Sequence, residues 1–145
     1  MTQVDFYILA AQTLEERALF ACRLAEKAFS RGNRVLIQTD TEASARALDD
    51  LLWTFRDDAF IPHALLNASD APAECPVSIS WHDDPGHHHD VIVNLSSGLP
   101  SFVGRFRRFV SIVVQHDQVL DYTRNHYKYL KDRGYPINNH DMRLR

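Results

Sequence analysis

The chain has 145 residues, is 45% hydrophobic and 24% charged, and carries a formal net charge of −3. That balance suits one globular domain, residues 1–145, around one buried core and rules out disorder as the whole answer. No run of about eighteen apolar residues is present to cross a membrane, and the start, Met1-Thr2-Gln3-Val4-Asp5, lacks the basic-then-apolar layout of a signal peptide, so a cytoplasmic protein is expected.

Two cysteines, Cys22 and Cys75, are too few for a disulfide framework or a four-cysteine zinc site. Charge is unevenly distributed: residues 1–102 hold 7 basic and 15 acidic side chains, whereas residues 103–145 hold 9 basic and 4 acidic. A positive last third on an acidic body predicts a local anionic partner rather than a whole-surface coat of nucleic acid.

In chain order, Val4 to Leu9 is a short β-favouring run, and Thr13-Leu14-Glu15-Glu16 is a helix-capping box. Leu14, Ala18, Ala21, Cys22, Ala25, Ala28 and Phe29 then recur at helical spacing until Arg31-Gly32-Asn33 stops the helix. Arg34 to Gln38 reads as a second strand, and Thr39 to Glu42 repeats the capping pattern ahead of Ala45, Leu48, Leu51 and Leu52. Further strands are expected at Pro76–Trp81, Val91–Leu95 and Phe109–Val114, with polar loops at Asn67–Cys75 and Asp83–Asp90 and a short helix within Phe102–Arg108. A last helix begins near His116-Asp117, turns Val119, Leu120, Thr123, Tyr127 and Leu130 inward, and ends at Gly134 with Pro136 beyond. Alternating strands and helices predict an α/β fold: a Rossmann-like three-layer domain with a largely parallel central sheet flanked by helices.

Such sheets hold ligands beyond the carboxyl ends of their strands. The first turn there, Ala10-Ala11-Gln12-Thr13, has no glycine, and neither a dinucleotide-binding glycine loop nor a Walker lysine loop occurs in the chain, so no cofactor is expected. Ser96-Ser97-Gly98-Leu99-Pro100 could line a small pocket, but serine and glycine are also ordinary turn formers. His87-His88-His89-Asp90, with His82 nearby, is the obvious metal candidate; consecutive side chains on an extended segment point to opposite faces, however, so at most His87 and His89 could share an ion without a tight turn, and no functional metal site is expected. No catalytic residue is assigned.

Two clusters are more informative. Trp53, Phe55, Phe60 and Ile61 surround a charged helix end, more large apolar surface than a loop of that length usually buries, and either pack under the sheet or anchor a partner. On the last helix Arg124, Lys128 and Lys131 fall at i, i+4 and i+7 with Tyr127 along the edge of the stripe. With Val113 ending the preceding strand, this makes an apolar notch rimmed by cations. It suits a short acidic peptide that ends in an apolar residue and a free carboxylate.

These residues, together with Phe6-Tyr7, Gly32 to Ile37, the block from Leu48-Asp49 through Trp53 and Phe60-Ile61-Pro62-His63, and Gly134-Tyr135, resemble the chi subunit family of bacterial DNA polymerase III, over nearly the whole chain. The resemblance implies a Rossmann-like domain without a nucleotide. It also implies a non-catalytic clamp-loader accessory that bridges the psi subunit to the acidic, Phe-terminated tail of single-stranded DNA-binding protein, with an accessory DNA helicase as a further candidate partner and DNA engaged only indirectly. By position it places Trp53 and Phe60 at the psi face, and Val113, Arg124, Tyr127 and Lys128 at the tail pocket. The His87-His88-His89 loop and residues 139–145 match no motif assigned to the family. The rival readings are a small α/β enzyme using the Ser96–Pro100 turn, and a direct binder of single-stranded nucleic acid using Arg105, Arg107, Arg108 and the last helix.

Overall fold

A computed structural model describes residues 1–58, 60–66 and 75–144. In chain order they form β1 (Gln3–Ile8), α1 (Leu14–Ser30), β2 (Val35–Gln38), α2 (Glu42–Thr54), β3 (His63–Leu65), β4 (Val77–Ser80), β5 (Val91–Asn94), a 3₁₀ turn (Val103–Arg105), β6 (Arg108–Val113), α3 (Asp117–Asp132) and β7 (Ile137–Asp141). Among the described residues the strands make one seven-stranded sheet in the order β3-β4-β2-β5-β6-β1-β7, with every pairing parallel.

The central strands are β-branched and buried on both faces, as a sheet covered on both sides requires. Val35 and Ile37 pack under α1 and α2, in one core with Ala21, Cys22, Ala25, Ala45, Leu48 and Leu52. Their neighbour Leu36 points to the opposite face, into a second core with Phe6, Ile92, Phe109, Val113 and Leu130 of α3. The three layers follow from this period of two.

Thr13 caps α1 by accepting from the Glu16 amide at 3.1 Å, as its spacing predicts. Both glycine stops also form. Gly32 and Gly134 have φ of 84° and 81°, and the residues after them, Asn33 and Tyr135, return their amides to Ala28 and Leu130. The expected cap at Thr39 falls two residues later: Thr41 accepts from the Ser44 amide, while the Thr39 hydroxyl is turned to the carbonyls of Ser80 and Thr41. The helix expected within Phe102–Arg108 is only the 3₁₀ turn. Strands β3 and β7, the two edges, are additional to the five expected, and the sheet is wholly rather than largely parallel. The loop expected at Asn67–Cys75 lies, up to residue 74, outside the described residues. No helix is long and apolar enough to cross a membrane among the residues described.

Candidate interaction surfaces

Helix α2 ends at Thr54, which leaves Trp53 on its last turn, outside the buried stripe of Ala45, Leu48 and Leu52. The chain then returns to β3, and Ile61 is buried in the first core while Phe60 faces out. Trp53 is 50% and Phe60 72% exposed, with ring centroids 5.9 Å apart. Half of the four-residue cluster is therefore packing, since Phe55 and Ile61 join the core, and half is an exposed aromatic pair.

The platform beneath Trp53 is His63. Its ring lies 4.2 Å from that of Trp53, its Nδ1 is 2.6 Å from the Ile61 carbonyl, and its Nε2 is 3.0 Å from the Asp49 carbonyl and 3.4 Å from the Asp49 carboxylate. Burial raises the Asp49 carboxyl above its ordinary value, with the facing His63 acting against that shift. Trp53 thus stands on a base held by hydrogen bonds, and holding a large ring in place before binding lowers the ordering cost of an interface.

At the other edge, α3 places Val119, Thr123, His126 and Leu130 inward and Arg124, Lys128 and Lys131 outward. Tyr127 sits between the two sets. Its ring meets Phe6 of β1 edge-on at 5.2 Å and 70°, and its hydroxyl accepts from Asn139 Nδ2 of β7 at 3.3 Å. Arg124 and Lys128 form no ion pair among the described residues, so both cations are free to meet an incoming anion.

Val113 shares the second core with Phe6 but is only 8% exposed. The apolar surface beside the cations is instead a rim of partly buried Ile8, Leu120 and Tyr127. The crevices at the first turns of the helices and beside Tyr129 and Tyr135 lie elsewhere, and neither is lined by Val113, Arg124, Tyr127 or Lys128.

The remaining candidates are absorbed locally. Ser96 Oγ is held by Asn94 Oδ1 at 2.5 Å and the Gly98 carbonyl at 2.8 Å, and Ser97 bonds the Asp40 carboxylate. The histidine run splits as its alternation predicts. His88 is buried 2.9 Å from the Ser78 hydroxyl and His87 and His89 are exposed; no group of three or more His, Cys, Asp or Glu among the described residues is placed to hold a metal. Of the three arginines of the nucleic-acid alternative, all exposed, Arg105 bonds the Gly86 carbonyl and Arg108, the first residue of β6, approaches Asp5 at 3.4 Å, while Arg107 forms no ion pair among the described residues. Both cysteines are free and buried, and burial pushes the Cys22 thiol up to about 12.

Two features escape a reading by residue type. Arg17 is buried inside the helix stripe expected to be apolar, while Leu14 at the head of that stripe is 48% exposed. Arg17 Nε donates to the Ile112 carbonyl at 2.7 Å and Nη1 to the Leu95 carbonyl and the Tyr122 hydroxyl. The signal was its spacing, since Arg17, Ala21 and Ala25 are successive i+4 positions. The second is Asn139, which steadies Tyr127 from an edge strand too polar to announce itself.

The family described as DNA polymerase III chi subunit, HolC, matches residues 1–138. A DNA polymerase III subunit chi of Pseudomonas aeruginosa is 38% identical over 142 residues, 98% of each chain. Those of Haemophilus influenzae and Escherichia coli K12 are 31% and 28% identical, covering 95% of this chain and 96% and 97% of theirs. With a family match over almost its entire length and full-length relatives at this identity, the chain belongs to the chi subunit family of DNA polymerase III.

Proposed function

We propose that the chain is a non-catalytic adaptor of the bacterial replicative polymerase, a single domain that joins the psi subunit, through Trp53 and Phe60, to the acidic C-terminal tail of single-stranded DNA-binding protein. The observation that carries this reading is the pair of unpaired cations, Arg124 and Lys128, one turn apart beside the steadied ring of Tyr127. Arg124 grips the terminal carboxylate bidentately, Lys128 supplies a point charge to the tail's acids, and the terminal phenyl ring lies over the rim of Ile8, Leu120 and Tyr127 with Val113 beneath. Because few side chains engage and a flexible tail must be ordered, one tail binds at micromolar strength, about 8 kcal/mol.

Titration of the isolated tail peptide against wild type and Arg124→Ala is the test. Loss of a charge-assisted bidentate contact should weaken binding by roughly tenfold or more; equal affinities would remove the pocket from α3. For the aromatic face, Trp53→Ala should lose psi in a pull-down while retaining the tail peptide, because the buried stripe of α2 does not include Trp53.

A further inference from the structure

The larger surface crevice, about 1070 Å³, is lined by neither proposed interface. It opens at the carboxyl ends of β2, β5 and β6, where residues Thr39, Asp40, Leu95, Ser97 and His116 meet the first turns of α1, α2 and α3. Open α/β sheets hold ligands at this position, commonly anions drawn to helix N-termini. Here the charge is inverted. Glu15, Glu16, Asp40 and Asp121 line the crevice, and none forms an ion pair among the described residues. Its one internal cation, Arg17, is 3% exposed and turned to two carbonyls and the Tyr122 hydroxyl. Ser97 and Thr13 donate to Asp40 and Glu16, but no cation pairs with any of the four among the described residues, so a phosphate or nucleotide would meet net negative charge.

The walls between those carboxylates are apolar: Leu14, Ala18, Leu48, Leu51 and Val119 come from all three helices, and Leu14 is left half exposed. Arg17 Nη2 is buried without any acceptor in the free chain. The vacancy is therefore defined by three chemistries at once: an apolar face, positive charge to meet the rim, and a carbonyl to complete the guanidinium. We infer that this crevice is a third docking surface, which takes a basic amphipathic segment of a partner protein. Leu-type side chains fill the floor, Lys or Arg meet Glu15 and Asp121, and a main-chain carbonyl approaches Arg17. A small polycation lacks the apolar face and the carbonyl, and an acidic peptide is repelled.

The test is amide-shift mapping on the isotopically labelled full chain with three probes: a synthetic amphipathic helix of Leu and Lys, the same helix with Glu in place of Lys, and spermine. The Leu/Lys helix should shift the amides of Leu14, Ala18, Leu48, Leu51 and Val119. Its affinity should fall about tenfold in Glu15→Lys with Asp121→Lys, and also in Leu14→Ser, a substitution at a half-exposed position that the fold tolerates. Shifts scattered over the surface, equal response to the Leu/Glu helix, equal affinity of the variants, or spermine binding as tightly at the same amides would each overturn the inference.

Discussion

His88 is a neutral side chain held where a charged one is costly. Burial, reinforced by the nearby Arg34 and opposed by Asp90, lowers its pKa from 6.5 to about 4, and its Nδ1 is buried without a partner. In the unfolded chain the ring takes up a proton near pH 6.5, so between about 6.5 and about 4 the unfolded state binds more protons than the folded one. Stability therefore falls as pH drops through that window. The loss from this ring is on the order of 2 kcal/mol. His126, whose pKa is likewise lowered mainly by burial, adds to it in the same direction. Denaturant unfolding at pH 7 and pH 4.5 should show His88→Gln losing less stability on acidification than wild type; parallel losses would place the acid sensitivity elsewhere.

At the scale of elements, β7 carries the least hydrophobic signal and the most consequence for the proposed tail site. Ile137-Asn138-Asn139-His140-Asp141 is exposed over most of its length, and an edge strand of this kind has neither the apolar run nor the alternation that reveals a strand. Its anchor is a long-range cluster that no local pattern encodes. His140 Nε2 lies 3.0 Å from the buried Asp5 carboxylate and its ring stacks on Tyr7 at 4.4 Å, while Arg108 approaches Asp5 from β6. The same blindness hides β3, three residues long, which exists because β4 pairs with it in register from His63↔Val77. By contrast β2, β5, α1 and both glycine stops were legible, because there burial and turn chemistry act on neighbouring residues. Arg124 and Lys128 were legible as a stripe and Trp53 and Phe60 as a cluster, whereas the burial of Val113 depends on a core that strands and helices distant in the chain build together. Asp5→Ala should cost about 1–2 kcal/mol, a modest loss because His140 and Arg108 are each partly exposed and can hydrate. Hydrogen exchange should then quicken at β7, including the Met142 amide that bonds Ile8, well before it quickens at β2. Uniform acceleration would mean that β7 is not separately tethered.

At the scale of the whole molecule, the two proposed faces lie at opposite margins of one rigid sheet. Trp53 of the aromatic pair stands on His63 of β3, the first strand in the order, and Tyr127 is steadied by Asn139 of β7, the last. Six strand steps of about 4.8 Å put them roughly 29 Å apart, several times the ~8 Å screening length at physiological ionic strength. They also sit on different layers, one against the core under α1 and α2 and the other against the core under α3. No charge on one face is felt at the other, and no shared side chain links them, so an adaptor of this design carries both partners without coupling. Tail-peptide affinity measured on the free chain and on the chain with its aromatic face occupied should agree within about twofold, the scale of uncoupled sites. Raising salt should separate the faces in the opposite sense. Binding at α3 should weaken with ionic strength because it rests on exposed charge, while binding at Trp53 and Phe60 should hold, because it rests on apolar burial. A tail affinity that shifts more than about fivefold on occupying the aromatic face would require a mechanical link through the sheet, and would replace the passive bridge with a switch.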